Sequence, residues 1–217
     1  MIYHFIGDSH ASVFSGVGTQ EKPFMQFSIP YTMLSEIPGF ISYNIGAATA
    51  YNLYNKLNIL EHMLTCINKV DYVFLCFGEV DCRAHLIKQA DLQNKPIEEI
   101  IEECVDRYFR VPLYMQKMGY NVGIWGPIAS TPDELKYPGP LFGTNIQRNM
   151  VTNHFTKCLQ KLCEKHKIPL LSIFVDMLDE HLNTNPYYIM DHIHLSQTAM
   201  PLIRKRLSDL QLTTSNR

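Results

Sequence analysis

The sequence predicts an α/β protein, a parallel sheet with helices over both of its faces. Three observations carry that prediction. Apolar runs of strand length recur along the chain, the intervals between them are long enough for a helix, and the runs are apolar throughout instead of at every second position. Continuous apolarity is what a strand covered on both faces requires, and strand–helix alternation is what parallel crossovers produce.

The strands are read, in order, at residues 2–6, 40–45, 72–77, 122–125 and 169–174. Several of these runs close on glycine or proline, the residues that most readily end a regular segment. Between and after them, residues 47–66, 97–118, 145–165 and 196–210 carry apolar residues at helical spacing. The clearest stripe is Ile97, Ile100, Ile101, Cys104, Val105 and Tyr108, whose three- and four-residue steps put all six on one face of a helix.

With 217 residues, 46% of them hydrophobic, the chain is expected to form a single domain over residues 1–217, with 211–217 a frayed tail. The 19 basic and 21 acidic residues leave a formal net charge of -2, so no long-range field gathers nucleic acid or an anionic membrane. The first residues show no cationic segment and no apolar stretch of signal-peptide length, and no later run approaches a membrane span; a cytoplasmic protein is expected. Cys66, Cys76, Cys82, Cys104, Cys158 and Cys163 lack paired C-x-x-C spacing, which predicts free thiols and neither a zinc site nor a disulfide framework.

Open parallel sheets hold ligands outside the carboxyl ends of their strands. Read just past each strand, the chain offers Gly7-Asp8-Ser9-His10, Asn44-Ile45-Gly46, Gly78-Glu79-Val80-Asp81-Cys82-Arg83 and Gly126-Pro127, and after the fifth strand Asp191-His192-Ile193-His194. Two connections, 17–38 and 127–144, are longer than the fold needs. The second is rich in proline and glycine, holds Tyr137 and Phe142, and follows a strand's carboxyl end, so it should overhang any site there.

A serine hydroxyl is a weak nucleophile and needs a base in reach, a group that orients the base, and donors for the developing oxyanion. Ser9 stands where the first strand should turn into a helix; it is either such a nucleophile or only that helix's N-cap. Asp191 and His194, three apart, can meet on a tight turn, the carboxylate on Nδ1 and Nε2 pointing outward as a general base must. His192 is the rival base, but as the immediate neighbour of Asp191 it should point the other way. Asp191 could instead cap the last helix, a place Ser196 can also fill.

Together, FIGDSHASVF near the amino terminus and DHIHLS near the carboxyl terminus resemble the SGNH, or GDSL-type, hydrolase superfamily. That resemblance implies a three-layer α/β/α, flavodoxin-like fold around a mostly five-stranded parallel sheet. It also implies cleavage of esters, often acyl groups on lipids or carbohydrates, with acyl transfer in some members. By the same resemblance Ser9 is the nucleophile, Asp191 and His194 are its orienting acid and base, and the amides of Ser9 and of Gly46 in YNIGAAT form the oxyanion hole. No metal or organic cofactor is implied.

The third block departs from the family pattern. Where G-x-N-D supplies an asparagine side chain to the oxyanion, this chain has Gly78-Glu79-Val80-Asp81, and valine donates nothing. Losing one such donor costs about 10²–10³ in rate. Arg83 and His85 lie just beyond, and either could reach the cleft; an ion pair of Arg83 with Glu79 or Asp81 is the competing use. FGEVDCR also resembles a variant of this block in SGNH-like proteins linked to bacterial surface-polysaccharide synthesis, which turns the expected substrate toward a small sugar ester. Glu79, Asp81, Arg83, Tyr137 and Phe142 are the candidate substrate contacts. Trp125, at a strand end, could stack on a sugar but more commonly would be core.

Two other classes use the same residues. Asp8, His10, Asp81, His192 and His194 superficially resemble a two-metal phosphoesterase, although the GNH-type block and the G-D-x-x-D arrangement of that family are missing. Loss of the donor at Val80 alternatively fits a carbohydrate-binding protein that kept the fold without the activity. The oligomeric state is left open by the sequence.

Overall fold

A computed structural model describes residues 1–17 and 33–212. Its sheet has six strands: β1 (Tyr3–Gly7), β2 (Met33–Leu34), β3 (Phe40–Asn44), β4 (Tyr72–Cys76), β5 (Asn121–Trp125) and β6 (Leu170–Leu171), in the order β2-β3-β1-β4-β5-β6. All neighbours pair in parallel except β2, which runs antiparallel to β3 at the edge. Five helices follow in chain order: α1 (Leu57–Leu64), α2 (Leu86–Gln93), α3 (Ile97–Lys117), α4 (Asn145–His166) and α5 (Met200–Asp209).

The strands are continuously apolar because successive residues enter different cores. On β1, Ile6 joins the cluster beneath α1 to α4 with Val73, Leu75, Val122 and Ile124, where Leu60, Ile101, Tyr108, Phe155 and Leu159 cover the sheet. Phe5 joins the opposite cluster with Phe74 and Trp125, covered by Phe14 and by Ile203 and Leu207 of α5. Trp125 is accordingly core, edge-on to Phe14 at 5.0 Å. Local signals mark the helix ends. Thr144 and Gln147 form a reciprocal capping box at the start of α4, and Glu98 and Glu99 place negative charge on the first turn of α3.

Four expectations change. The sheet gains a sixth strand, a two-residue edge too short to leave a periodic pattern. The fifth expected strand, 169–174, pairs only over Leu170–Leu171; beyond it the Ser172 hydroxyl accepts the Phe174 amide and the chain turns into a 3₁₀ segment at Val175–Met177. The first expected helix, 47–66, is α-helical only from Leu57, because Thr49 and Asn52 exchange side-chain and backbone hydrogen bonds, an alternative to the helical ladder. Finally, α2 forms beyond the third motif, where the sequence reading places no helix, and is entered through one wide π-turn at Asp81–His85. Residues 18–32 of the long connection and 213–217 of the tail lie outside the described residues.

Gly7 ends β1 directly opposite Cys76 of β4. A Cβ at this position would lie 2.6 Å from the Cys76 carbonyl oxygen and 3.0 Å from the Ala11 Cβ, so the site's first turn can approach the sheet only without a side chain here. Gly7→Ala is expected to destabilise the fold by about 1–3 kcal/mol, the usual cost of overpacking, in denaturant unfolding. A change within experimental error would show that the two strands separate freely.

Candidate active site

Past Gly7 the chain turns into a 3₁₀ helix at Ser9–Ser15, and its cap is Asp8, whose Oδ1 accepts the His10 amide at 2.8 Å. Ser9 is therefore the first residue of the helix and not its cap. Its own N–H has no acceptor within the helix, as for any residue in a first turn. The other half of the site comes from residues 189–195, closed by an antiparallel bridge between Ile189 and Leu195 and by the Met190 amide on the His194 carbonyl, 2.8 Å.

Asp191 organises that loop. Its Oδ1 accepts the backbone amides of His192, Ile193 and His194 at 2.6, 2.9 and 2.9 Å, an anion nest that leaves Oδ2 for the ring. His194 Nδ1 lies 2.7 Å from Oδ2, and His194 Nε2 lies 2.9 Å from Ser9 Oγ. Burial works against ionising Asp191, but His194 and the nest amides hold its carboxyl well below the usual range. An ionised carboxylate only accepts, so the Nδ1 proton points to Asp191 and Nε2 is left as an acceptor for the Ser9 hydroxyl. Burial, with the neighbouring His10, lowers the His194 pKa against the pull of Asp191, so the ring is neutral at neutral pH.

The two halves are fastened beside the site. The Gln197 side chain, just past the loop, donates to the carbonyls of Val13 and Val17 at 2.9 and 2.6 Å, and Leu195 and Ala199 sit in the same apolar cluster as Ala11, Val13 and Phe14. Sequence reading missed Gln197. Its only signal is a polar side chain between buried positions at the start of the last helix.

The third motif is turned inward. Asp81 is buried and accepts the amides of Ala50 and Tyr51 at 2.7 and 3.2 Å, so its expected substrate contact is corrected to a structural anchor for the segment after Gly46. Glu79, also expected at the substrate, is buried between His10 Nε2 at 2.6 Å and Arg83 Nε at 2.7 Å. The space that Asp8, His10 and Glu79 border with Trp125 measures only about 10 Å³, one water-sized sphere. The ion-pair use of Arg83 is the one the structure shows: besides Glu79 it donates to the Pro140 carbonyl at 3.1 Å and lies 5.0 Å from the Tyr137 ring.

Through Arg83 the 127–144 connection is tied to the site. Tyr137 stands half-buried between Arg83 and the exposed His192, 6.4 Å from the latter. Phe142 turns away: its amide donates to the Arg83 carbonyl, but its ring lies under Lys88 of α2. His85 lines a separate groove with Thr49, Tyr51 and Gln89. The base of the connection is pinned by Arg148, fully buried, which donates to Ser130, Thr131, Asp133 and Gly143. The Gly46 amide, an expected oxyanion donor, donates to Asn44 Oδ1 at 2.8 Å, so it must share that proton to serve an oxyanion. Val80 supplies no donor, as its sequence position implied.

Among the described residues, one group could hold a metal ion: Glu102 on α3 with His154 and Cys158 on α4, their ligand atoms within 4.8 Å of one another. It shares no residue with the Ser9 site. The residues needed by a two-metal reading do not converge, since Asp81 faces the Ala50 and Tyr51 amides and His192 faces outward. A groove of about 800 Å³ runs between α4, α5 and the start of β6 and includes none of the site residues. No helix is long and apolar enough to cross a membrane among the described residues.

No protein-family model matches this sequence, and no curated protein does. Solved structures match in shape. A GDSL-like lipase from Bacteroides thetaiotaomicron gives a TM-score of 0.61 at 13% identity, over 97% of this chain and 88% of that one. An acetyl xylan esterase gives 0.57 at 14%, over 98% and 100%. A lipase/acylhydrolase from Enterococcus faecalis gives 0.53 at 14%, over the whole of both. At such identities the likeness is one of fold: the chain has the three-layer α/β/α architecture of GDSL-like hydrolases.

Asp8 offers a check on the site's electrostatics. Burial pushes its carboxyl up to about 6 against the attraction of His10. A carboxyl whose pKa is raised in the fold is tolerated when protonated and loses stability for the protein as pH climbs through that value. Asp8→Asn keeps an oxygen for the His10 amide, so the stability of the variant relative to wild type should improve by about 1 kcal/mol between about pH 5 and pH 8. Denaturant unfolding at the two pH values measures it; a constant difference would contradict the burial argument.

Proposed function

We propose that the protein is a serine esterase acting on a small acylated substrate, with a sugar ester as the substrate class. The observation that carries this reading is the continuous line Asp191 Oδ2, His194 Nδ1, His194 Nε2, Ser9 Oγ, with separations of 2.7 and 2.9 Å. In this mechanism His194 takes the Ser9 proton as the oxygen attacks the ester carbonyl, and Asp191 stabilises the imidazolium. The oxyanion is met by the Ser9 amide and a shared Gly46 amide. Collapse breaks the ester C–O bond, His194 returns the proton to the leaving alcohol, and water repeats the sequence on acyl-Ser9.

The sugar assignment is supported by the half-buried Tyr137 beside the exposed His192 at the edge of the site, a stacking surface for a ring, and by a fold neighbour that is an acetyl xylan esterase. With valine at position 80, turnover should be slow by about 10²–10³ relative to a site with all donors.

Activity on short-chain p-nitrophenyl esters and on acetylated oligosaccharides tests the reading. Ser9→Ala and His194→Ala should each lower kcat/KM by at least about 10³-fold and Asp191→Asn by up to about 10⁴-fold, while the proteins stay folded. Turnover that survives Ser9→Ala would place the chemistry elsewhere. A folded wild type that binds acetylated sugars without cleaving them would be a binding protein instead.

A further inference from the structure

His10 is the residue of the opening motif that the reading of Ser9, His194 and Asp191 leaves without a role. It is buried, and two carboxylates hold it. Asp8 accepts its backbone amide at 2.8 Å, Glu79 Oε2 stands 2.6 Å from its Nε2, and Arg83 in turn fixes Glu79 through a 2.7 Å contact to Oε1. The His10 ring lies against the His194 ring, with centroids 4.9 Å apart and planes inclined by 39°. The base thus touches Asp191 at one nitrogen, Ser9 at the other, and His10 along its flank.

We infer that His10 is the positioning residue of this base: the Arg83–Glu79 pair presses the His10 ring against His194, fixing the imidazole so that Nε2 stays on Ser9. This rests on the reading of Ser9 and His194 as nucleophile and base. It gives a purpose to the glutamate and arginine of the third motif, which are too buried to meet substrate. It also connects the base to the overhanging loop, because the same Arg83 holds Pro140 and Tyr137.

The contact has an electrostatic side. Burial alone would discharge His10, but Glu79 and Asp8 outweigh it and raise the pKa of His10. Glu79, between two cations, is held down to about 2 although burial opposes this. A cation beside His194 adds to burial in lowering the pKa of that ring. The charged and titratable groups around the pair are Asp8 and Ser9 after β1, Cys76, Glu79, Asp81 and Arg83 around the end of β4, and Asp191 on the last loop. His10 therefore keeps its proton over the range in which His194 loses its own, and His194 remains a competent acceptor toward lower pH than an isolated imidazole.

His10→Gln keeps an N–H for Glu79 and removes the charge. In the pH profile of kcat/KM on p-nitrophenyl acetate, its acid limb should move upward by about one unit, the scale of removing a like charge at this distance. A role in packing alone would lower activity evenly at every pH and leave the limb in place, and that result would overturn the inference. If the variant does not fold, NMR titration of wild-type imidazole nitrogens decides: His10 should titrate above His194, and the reverse order overturns it. If wild type turns over no ester, the esterase reading fails, while the same titration still tests the pairing of the two rings.

Discussion

One hydrogen-bonded line, from Asp191 through His194 to Ser9, sets what the rest of the structure has to accomplish. Ser9 stands more than 180 residues from its two partners, and the line closes only where the first and last elements of the chain dock on one face of the sheet. Central β1 delivers Ser9 at its carboxyl end, α5 packs Ile203 and Leu207 onto the face that Phe14 also covers, and Gln197 fastens the two segments across their backbones. The strongest local device is the amide nest around Asp191. By spending one carboxylate oxygen on three backbone donors it leaves the other a single direction, and that direction fixes the tautomer of His194.

Around that line the site is built as alternating charge. Arg83, Glu79, His10 and Asp8 occupy a space with room for little else, and each buried charge has an opposite neighbour. A charge so placed would be prohibitive alone and becomes tolerable as a member of a compensated series. Val80, at the position where the resembled G-x-N-D block carries asparagine, lies inside this series. Its neighbours in sequence, Glu79 and Asp81, both face inward, Glu79 onto His10 and Arg83 and Asp81 onto the Ala50 and Tyr51 amides.

Much of this was legible in the sequence. The continuously apolar strands and the spacing of Ile97 to Tyr108 point to the parallel sheet and to α3, and of the two uses open to Asp191 the fold shows the one that docks its carboxylate on His194. The misses have physical causes too. Edge strand β2 is two residues long, below any periodic signal, and α1 is shortened by side-chain bonds at Thr49 and Asn52 that compete with the helix. Asp81 and Glu79 read as substrate contacts because a charged residue at a strand's carboxyl end is expected to face the cleft; only the fold shows that amides and a histidine reach them first. Gln197 and Arg148 had no motif at all. Their importance comes from the partners the tertiary structure brings to them.

The claim most directly at stake is that Ser9 is an activated nucleophile in the resting protein. Incubation of the folded chain with a fluorophosphonate, followed by peptide mapping with mass spectrometry, reads this independently of the natural substrate. The account predicts a single adduct on the peptide carrying Ser9, absent from Ser9→Ala and strongly reduced in His194→Ala. Folded wild-type protein with no adduct, or with an adduct on another residue, would contradict it.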